Sequence, residues 1–597
     1  MTHAGSGEPA ARSATRRRGL LAGGVAVAVL LLAGFVWIFV TGWQARSALL
    51  AMRHDIRQLR SDLIAGRSSA AEHDLAEVQS KAAHAVDRTS GPAWWVGAHL
   101  PLLGEPLRTT RTIASIGHSL SHTAMPLVLD GGQALSPKSL RTASDQIDLA
   151  DLQQGGPLLA RALPSLDAAR ERISRTSSSW LGPVSSGRSS VLRELTSLDG
   201  TLRDTVLATR LLPPMLGESG PRRYLVVFEG DNEARALGGI FGGYGLLSAD
   251  HGRMTFGRFG SDRDFHGITA DVDLGPQFAK AYGGDDAYHS IQDADISPHF
   301  PDAAQIWASM VSQRLGLHID GVLAVDPVML SRILTVIGPV RMADGTRLTG
   351  HNLVRLLDVG VYQRFDAGEE DIDTPARKAF FVAAGQAVTQ AVLERNLSTT
   401  KLLHALASSA GQRRLVAYSA HPDEEAILAG TPLGGVLHRT SEPFEEAVVT
   451  NDSGTKLDYF LHRTLVYRRS SCAADIATVS LTLHNAAPSS GLPAYMTTGV
   501  QWGSDPHPPG SEFLIVSLYS TEGASVSGVT LDGKPIGTYS AVDRGHPITE
   551  TILTILPGQT LTEQFTVHEP AATGPVVLPQ QPLAQPMTVR DDSPACT

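Results

Sequence analysis

The sequence predicts an α+β multidomain protein, with an N-terminal transmembrane helix, a helical stalk or bundle, a central α/β domain and a C-terminal β-sandwich. Three observations predict it. An uncharged run from Gly19 to Ala45 follows a basic N-terminus, and apolar residues then recur at helical spacing to about Arg210. Beyond Pro221 strand and helix signals alternate, and after about Thr450 they give way to period-two strands.

The first element rests on Arg12, Arg16, Arg17 and Arg18, followed by Val25-Ala-Val-Ala-Val-Leu-Leu-Leu and Phe35-Val-Trp-Ile-Phe-Val40. At about 1.5 Å per residue such a helix crosses a hydrocarbon core of roughly 30 Å. The positive-inside rule then makes residues 1–18 a cytoplasmic tail and residues 19–42 a span through the lipid bilayer. Everything later lies outside, in the cell envelope of a single-pass membrane protein. A cleaved secretory signal and a twin-arginine export signal are the rival readings; the length of the run and the lack of a small-x-small site before Gln44 favour a retained anchor.

Composition limits the partners. Lys and Arg total 50 against 60 Asp and Glu, a net charge of −10, and no later basic block rivals the N-terminus, so nucleic acid is excluded. A hydrophobic fraction of 42% with 18% charged residues allows packed cores. The two cysteines, Cys472 and Cys596, both fall in the expected exterior, where an even pair favours a disulfide. Two unpaired thiols are the alternative, because spacing sets no geometry.

Residues 43–212 form the helical region. Leu49, Met52, Ile56, Leu59 and Leu63 make one stripe, and Leu75, Val78, Ala82 and Val86 continue it. Further helices are expected at 109–120, 140–152, 158–173 and 191–211, between Gly, Pro and Ser punctuation. Trp94-Trp95 suits an interfacial anchor or a sugar platform, although packing between helices is the commoner use of Trp.

A breaker-rich stretch, Leu212 to Pro221, opens the α/β domain at 222–445. Tyr224-Leu-Val-Val-Phe228 and Val322-Leu-Ala-Val325 read as strands and Ala303 to Leu315 as a helix. Asp326-Pro327 and Thr374-Pro375 each supply an N-cap and first-turn proline. A β-sandwich is expected over 455–570, from strands such as Val479 to Leu483, Phe513 to Tyr519 and Leu561 to Val567, with turns at Asp532-Gly533 and Pro557-Gly558. Residues 571–597 form a Pro-rich tail.

Three segments are candidates for chemistry. In the first, Glu229, Asp231, Glu233 and Arg235 leave a strand end, where open α/β sheets place ligands, and Gly238, Gly239, Gly242, Gly243 and Gly245 allow backbone amides near an anion. A glycine-rich hairpin is the equal alternative, since no helix or P-loop lysine follows. The second is Gly260-Ser-Asp-Arg-Asp-Phe265 with Ala281-Tyr-Gly-Gly284 and Asp285, Asp286, Asp293 and Asp295; its spacing fits no EF-hand, and a solvated acidic loop is the plainer reading. The third is Val361-Tyr-Gln-Arg-Phe365 with Arg377 at the start of a capped helix, whose arginines suit phosphate, although a surface arginine is the commoner case. No H-E-x-x-H or G-x-S-x-G occurs, and the histidines lack zinc-ligand spacing.

Arg223-Tyr-Leu-Val-Val-Phe, Asp231-Asn-Glu-Ala-Arg-Ala-Leu-Gly-Gly-Ile-Phe-Gly-Gly-Tyr-Gly, Asp320-Gly-Val-Leu-Ala-Val-Asp326 and Ile337-Gly-Pro-Val340 together resemble the signature of an uncharacterised family of membrane-anchored actinobacterial envelope proteins, a domain of unknown function. The order Gly230-Asp231, Arg263-Asp264, Ala281-Tyr-Gly-Gly284, Gly338-Pro-Val340, Arg364 and Arg377 also resembles the LytR-CpsA-Psr phosphotransferases. Those enzymes move glycopolymers from a polyprenyl-pyrophosphate carrier to the cell wall with Mg²⁺. That resemblance implies the same fold for the central domain and a polyprenyl-phosphate-linked glycan and cell-wall polymer as partners. It implies Asp231, Glu233 and Asp264 on Mg²⁺ and Arg235, Arg263, Arg364 and Arg377 on the pyrophosphate. Asp231, Arg235, Arg263 and Asp264 would be catalytic, with Gly238 and Gly239 beside the ligand. The Arg-x-Asp-Thr element of that group is replaced here by Ala236-Leu-Gly-Gly239, which weakens the case for catalysis and leaves both transfer of the glycan and binding without turnover open; a non-catalytic scaffold or adhesion protein is the alternative function.

Overall fold

Helical spacing in the N-terminal part becomes helix, with described helical residues before 63 and the long helices α1 (Ser68–Thr89), α2 (Gly104–Ala134), α3 (Leu149–Ser174) and α4 (Gly182–Met215) after them. The computed structural model describes residues 33–594 except 35, 49, 53, 60, 63–65, 101–103, 137–145, 178, 285, 367–374, 396–398, 438, 441, 472–474, 500–507 and 571–573. The chain divides into two units, Met1–Glu218 and Ser219–Thr597. In the first, Ala71, Leu75, Val78 and Ala82 are the buried stripe of α1, and Leu159, Ala162, Leu166 and Ile173 that of α3. Glycine lets α2 and α3 approach: a Cβ on Gly131 or Gly155 would lie 2.8 or 2.6 Å from Leu159 or Leu135.

Prolines did not stop α4 where the sequence expects a break. Pro213 and Pro214 sit inside its last turn, and the amides of Leu216, Glu218 and Gly217 still reach the carbonyls of Leu212, Pro213 and Pro214 at 2.8, 3.1 and 3.1 Å. Trp94 is buried and its Nε1 donates to Thr41 Oγ1 at 2.8 Å, whereas Trp95 is 60% exposed.

The second unit starts from an apolar strand buried on both faces. β1 (Arg222–Arg235) pairs antiparallel with β2 (Gly238–Asp250), which pairs with β3 (Arg253–Ser261). Helix α5 (Phe300–Leu315) leads to β4 (Gly321–Val325), parallel to β1, and α6 (Pro327–Ile337) and α7 (Pro375–Glu394) precede β5 (Leu415–Ser419). The sheet order is β3-β2-β1-β4-β5. Strand alternation sends Leu225 and Val227 to one face, with Trp307 and Met310 of α5, and Val226 and Phe228 to the other, with Leu330, Leu334, Phe380 and Val388. Asp326 caps α6 as its sequence position implies, accepting from Met329 N at 2.6 Å.

Two further sheets follow. β6 (Glu445–Asn451), β7 (Leu461–Arg469), β8 (Ile476–Asn485), β9 (Glu512–Ser520), β10 (Ser525–Leu531), β11 (Lys534–Pro535), β12 (Tyr539–Asp543), β13 (His546–Ile555), β14 (Thr560–His568) and β15 (Thr588–Asp591) divide between them. One sheet runs β11-β10-β14-β8-β7-β15 and the other β12-β13-β9-β6. The four-stranded sheet is covered twice. Val449, Val516 and Leu518 pack against the six-stranded sheet, while Val448, Tyr519 and Ile548 join the α5 core. Tyr282 Oη meets Tyr519 Oη at 2.8 Å and Asp543 Oδ2 at 3.0 Å across that seam. The β-region therefore shares a core with the α/β layer, and β6 begins at Glu445, inside the span assigned from sequence to the α/β domain.

Two expectations are corrected. Of the stretch 19–42, residues 19–32 and 35 lie outside the described residues, and among the described residues no helix is long and apolar enough to cross a membrane. In the described part of that stretch Thr41 is buried and accepts from Trp94 Nε1, while Val36, Trp37, Phe39 and Val40 are exposed; with no described helix of sufficient length and apolarity, the single-pass span and the extracytoplasmic placement derived from it are withdrawn. Cys472 and Cys596 both lie outside the described residues, and there is no disulfide among the described residues, so the pairing is not carried further. The C-terminal segment is tied down differently: β15 pairs parallel with β7, and Arg469 N donates to Ser593 Oγ at 2.9 Å.

Candidate functional site

A break in the β1–β2 ladder builds the site. Gly230 pairs with Ile240 and Ala234 with Gly239, so Asp231, Asn232 and Glu233 bulge out of register. Gly239 makes the crossing feasible, since a Cβ there would lie 2.1 Å from Gly230 O. Gly238 has φ +137°, and a Cβ on it would meet Pro582 O at 2.7 Å. Both glycines serve the hairpin. It is Gly230, Gly242 and Gly243 that border the adjoining cleft.

That cleft, about 160 Å³, has Phe228, Ile240, Leu330, Leu357 and Phe381 as apolar walls and Arg377, Lys378 and Lys456 as cations. Arg377 is in the first turn of α7 and only 3% exposed; its guanidinium lies 5.1 Å from the Tyr362 ring and 4.0 Å from that of Tyr495. Lys378 Nζ meets both oxygens of Asp262, at 2.9 and 3.0 Å. Lys456 Nζ pairs with Glu233 and donates to Gly454 O at 2.7 Å.

The floor is a set of buried carboxyls. Asp358 sits in a π-helical turn, Leu356–Gly360, close to Asp231, and neither carboxyl oxygen of Asp231 has a hydrogen-bond partner among the described residues. Burial, then the charge of Asp326, pushes Asp231 up to about 7, and burial, then Asp231, pushes Asp358 well above the carboxylate range. Burial and Asp295 do the same to Glu229. Burial also works against the charge on Glu233, but Lys456 and Arg235 outweigh it and hold that carboxyl below its usual value. Lys378 and Lys456 are balanced by Asp262 and Glu233, and Arg377 adds a third cation to the lining while burial disfavours charge on Glu229 and Asp358, which suits the cleft to an anion.

Of the residues named from sequence, Glu229, Glu233, Gly242, Gly243 and Arg377 border this cleft and Asp231 is fully buried. Arg235 is a tie between layers: Nε and Nη2 donate to Asp293 Oδ1 at 3.0 and 2.7 Å and Nη1 to Asn451 O at 2.9 Å. Arg263 is exposed on a 3₁₀ turn, and Asp264 accepts from Tyr244 Oη at 2.8 Å and Arg258 Nη2 at 3.2 Å. Arg364 is 43% exposed and pairs with Asp344 at 3.0 Å. Asp231, Glu233 and Asp264 thus do not converge, and among the described residues no group of three or more His, Cys, Asp or Glu is placed to hold a metal ion. As a set they do not fit Mg²⁺. Tyr362, inside the third candidate segment, lines the cleft, whereas sequence reasoning missed Asp358, Lys378, Lys456 and Tyr495; the one signal was that two of only seven lysines in an arginine-dominated chain become cleft residues.

The raised carboxyls have a consequence for stability. Burial is also the largest cause for Asp302 and Asp458, up to about 6, and for Glu425 and Glu563, up to about 7. Each binds its proton more tightly folded than unfolded, so its contribution is full below about pH 4 and is lost as pH rises through about 7. The thermal midpoint is expected to be higher at pH 5 than at pH 8, with Asp358→Asn shrinking the difference; an equal or higher midpoint at pH 8 contradicts this.

Fold and cleft together define an α+β protein with a cation-lined, apolar-walled cleft at a strand bulge. Residues 219–362, from the start of the second unit to Tyr362, match the family model described as "Protein of unknown function (DUF4012)". The match is to an uncharacterised family. No curated protein matches the chain. Among solved structures, protein gbs0355 from Streptococcus agalactiae is similar at 14% identity over 37% of this chain and 76% of that one, with a TM-score of 0.23, a likeness too slight to inform fold or activity.

Proposed function

We propose that the cleft binds the phosphate of an anionic amphiphile, with a polyprenyl-phosphate-linked glycan as the ligand class. The observation that carries this reading is the convergence of Arg377, Lys378 and Lys456 on one cleft whose remaining walls are Phe228, Leu330, Leu357 and Phe381. The cations suit phosphate oxygens and the apolar walls suit the first isoprene unit. Arg377 and Lys378 also lie in the first turn of a 20-residue helix, where the peptide dipoles favour an anion. The resemblance to the LytR-CpsA-Psr phosphotransferases supports the choice of lipid.

Binding without transfer is the form the geometry favours. Arg235 is engaged within the protein, Arg263 and Arg364 are exposed away from the cleft, and the three carboxylates proposed for Mg²⁺ are apart. Calorimetric titration of the full chain tests the reading with three probes: geranyl phosphate, geraniol and inorganic phosphate. Saturable binding of geranyl phosphate, weaker binding of inorganic phosphate and none of geraniol are expected. Equal binding of geraniol and its phosphate, or no binding of either, would overturn it.

A further inference from the structure

The cleft is completed by the β-sandwich. Between β6 and β7 the chain passes through Lys456, and between β8 and β9 it forms a short helix, Ala494–Thr497, that carries Tyr495. The two excursions brace each other, with Lys456 N donating to Met496 O at 3.0 Å. Met496 is fully buried in the same apolar cluster as Leu330, Leu357 and Tyr362, so packing fixes both excursions against the α/β wall.

Both side chains from these excursions face the cations. Lys456 Nζ is 5.5 Å from the Tyr495 ring centre, and Arg377 is 4.0 Å from it. The Tyr495 and Tyr362 rings are stacked at 5.9 Å and 15°, and Arg377 lies over both. An ammonium has three donors. Lys456 commits one to Glu233 and one to Gly454 O, which leaves its third for a ligand oxygen without breaking either contact.

We propose that Lys456 and Tyr495 belong to the ligand site: Lys456 donates to an oxygen of the bound phosphate, and Tyr495 is a positioning residue that holds the Arg377 guanidinium toward it. The phosphate is then gripped between the α/β layer and the sandwich. This deepens the phosphate-binding reading and rests on it. Should the ligand draw Lys456 away from Glu233, that carboxylate still has Arg235 Nη2 at 3.4 Å, so the exchange does not strand a buried charge.

Titration of full-length variants with geranyl phosphate and inorganic phosphate tests the proposal. Lys456→Met is expected to weaken both probes about tenfold, as the loss of one charge-assisted hydrogen bond implies, and to make affinity less dependent on ionic strength. Tyr495→Ala is expected to weaken both comparably, while Tyr495→Phe, which keeps the stacking ring, stays within about twofold. Lys534→Ala, exposed in β11, serves as the control without effect. If Lys456→Met fails to fold, as judged by near-ultraviolet circular dichroism, Lys456→Gln and the Tyr495 pair carry the test. Wild-type affinity in both Lys456→Met and Tyr495→Ala, with Arg377→Ala still impaired, overturns this inference and leaves the cleft reading standing. Equal loss in Tyr495→Phe and Tyr495→Ala overturns the positioning role. Absence of binding by the wild type defeats the reading beneath both.

Discussion

Gly239→Val is expected to prevent the second unit from folding, or to leave it several kcal/mol less stable than the wild type. A Cβ at this position would lie 2.1 Å from Gly230 O, 2.2 Å from Gly230 C and 2.5 Å from Asp231 N. All three are backbone atoms of the bulge, so no flexible side chain can move aside. Overpacking that displaces backbone costs about 1–3 kcal/mol in ordinary cores, and a contact this close exceeds that range, against a total stability of roughly 5–15 kcal/mol. Gly242 is the contrasting position: its nearest neighbour would be Phe228 O at 3.2 Å, and Gly242→Ala should be far milder. Urea unfolding monitored by tryptophan fluorescence compares them. A Gly239→Val protein within about 1 kcal/mol of wild type would contradict the account of the bulge.

Arg377→Ala is the second large effect, expected to lower affinity for geranyl phosphate by about ten- to a hundredfold, the worth of a charge-assisted hydrogen bond of roughly 1.5–3 kcal/mol. Two features make this the most sensitive cation. It is 3% exposed, so little solvent screens it, and its plane is held over Tyr362 and Tyr495. Arg377→Lys keeps the charge but loses the planar fork, and should recover only part of the affinity. Arg263→Ala and Arg364→Ala, both exposed away from the cleft, should bind as the wild type does. Equal losses in all three alanine variants would place the anion elsewhere.

What was legible in the sequence was local. Asp326-Pro327 marks the start of α6 because an N-cap and a first-turn proline act within one turn, and Ala303 to Leu315 falls inside α5 because its burial repeats at helical spacing. Asp532-Gly533 is a turn because both residues take positive φ, +48° and +78°. Tertiary consequences were less visible. Asp358 looks like any helical acid until the π turn and the β1 bulge bring it to Asp231, 127 positions earlier in the chain. Lys456 and Tyr495 reach the cleft only because the sandwich docks on the α/β layer.

One clue to that docking was present. Phe513-Leu-Ile-Val-Ser-Leu-Tyr519 lacks the clean alternation of Val479-Ser-Leu-Thr-Leu483, and a strand apolar on both sides is one covered on both sides. The arginine set implied by the family resemblance separated for a related reason. Arg235 sits where two layers meet, and its donors are taken by Asp293 and Asn451. Sequence order preserved the landmarks without bringing them together.

Photo-crosslinking of the full chain with a diazirine-bearing polyprenyl phosphate, followed by peptide mapping, tests the cleft most directly. Labels are expected on the peptides that hold Leu330, Leu357 and Phe381, suppressed by excess unmodified polyprenyl phosphate and not by the corresponding alcohol. Labels confined to other surfaces, or insensitive to the competing phosphate, would contradict the assignment of this cleft as the binding site.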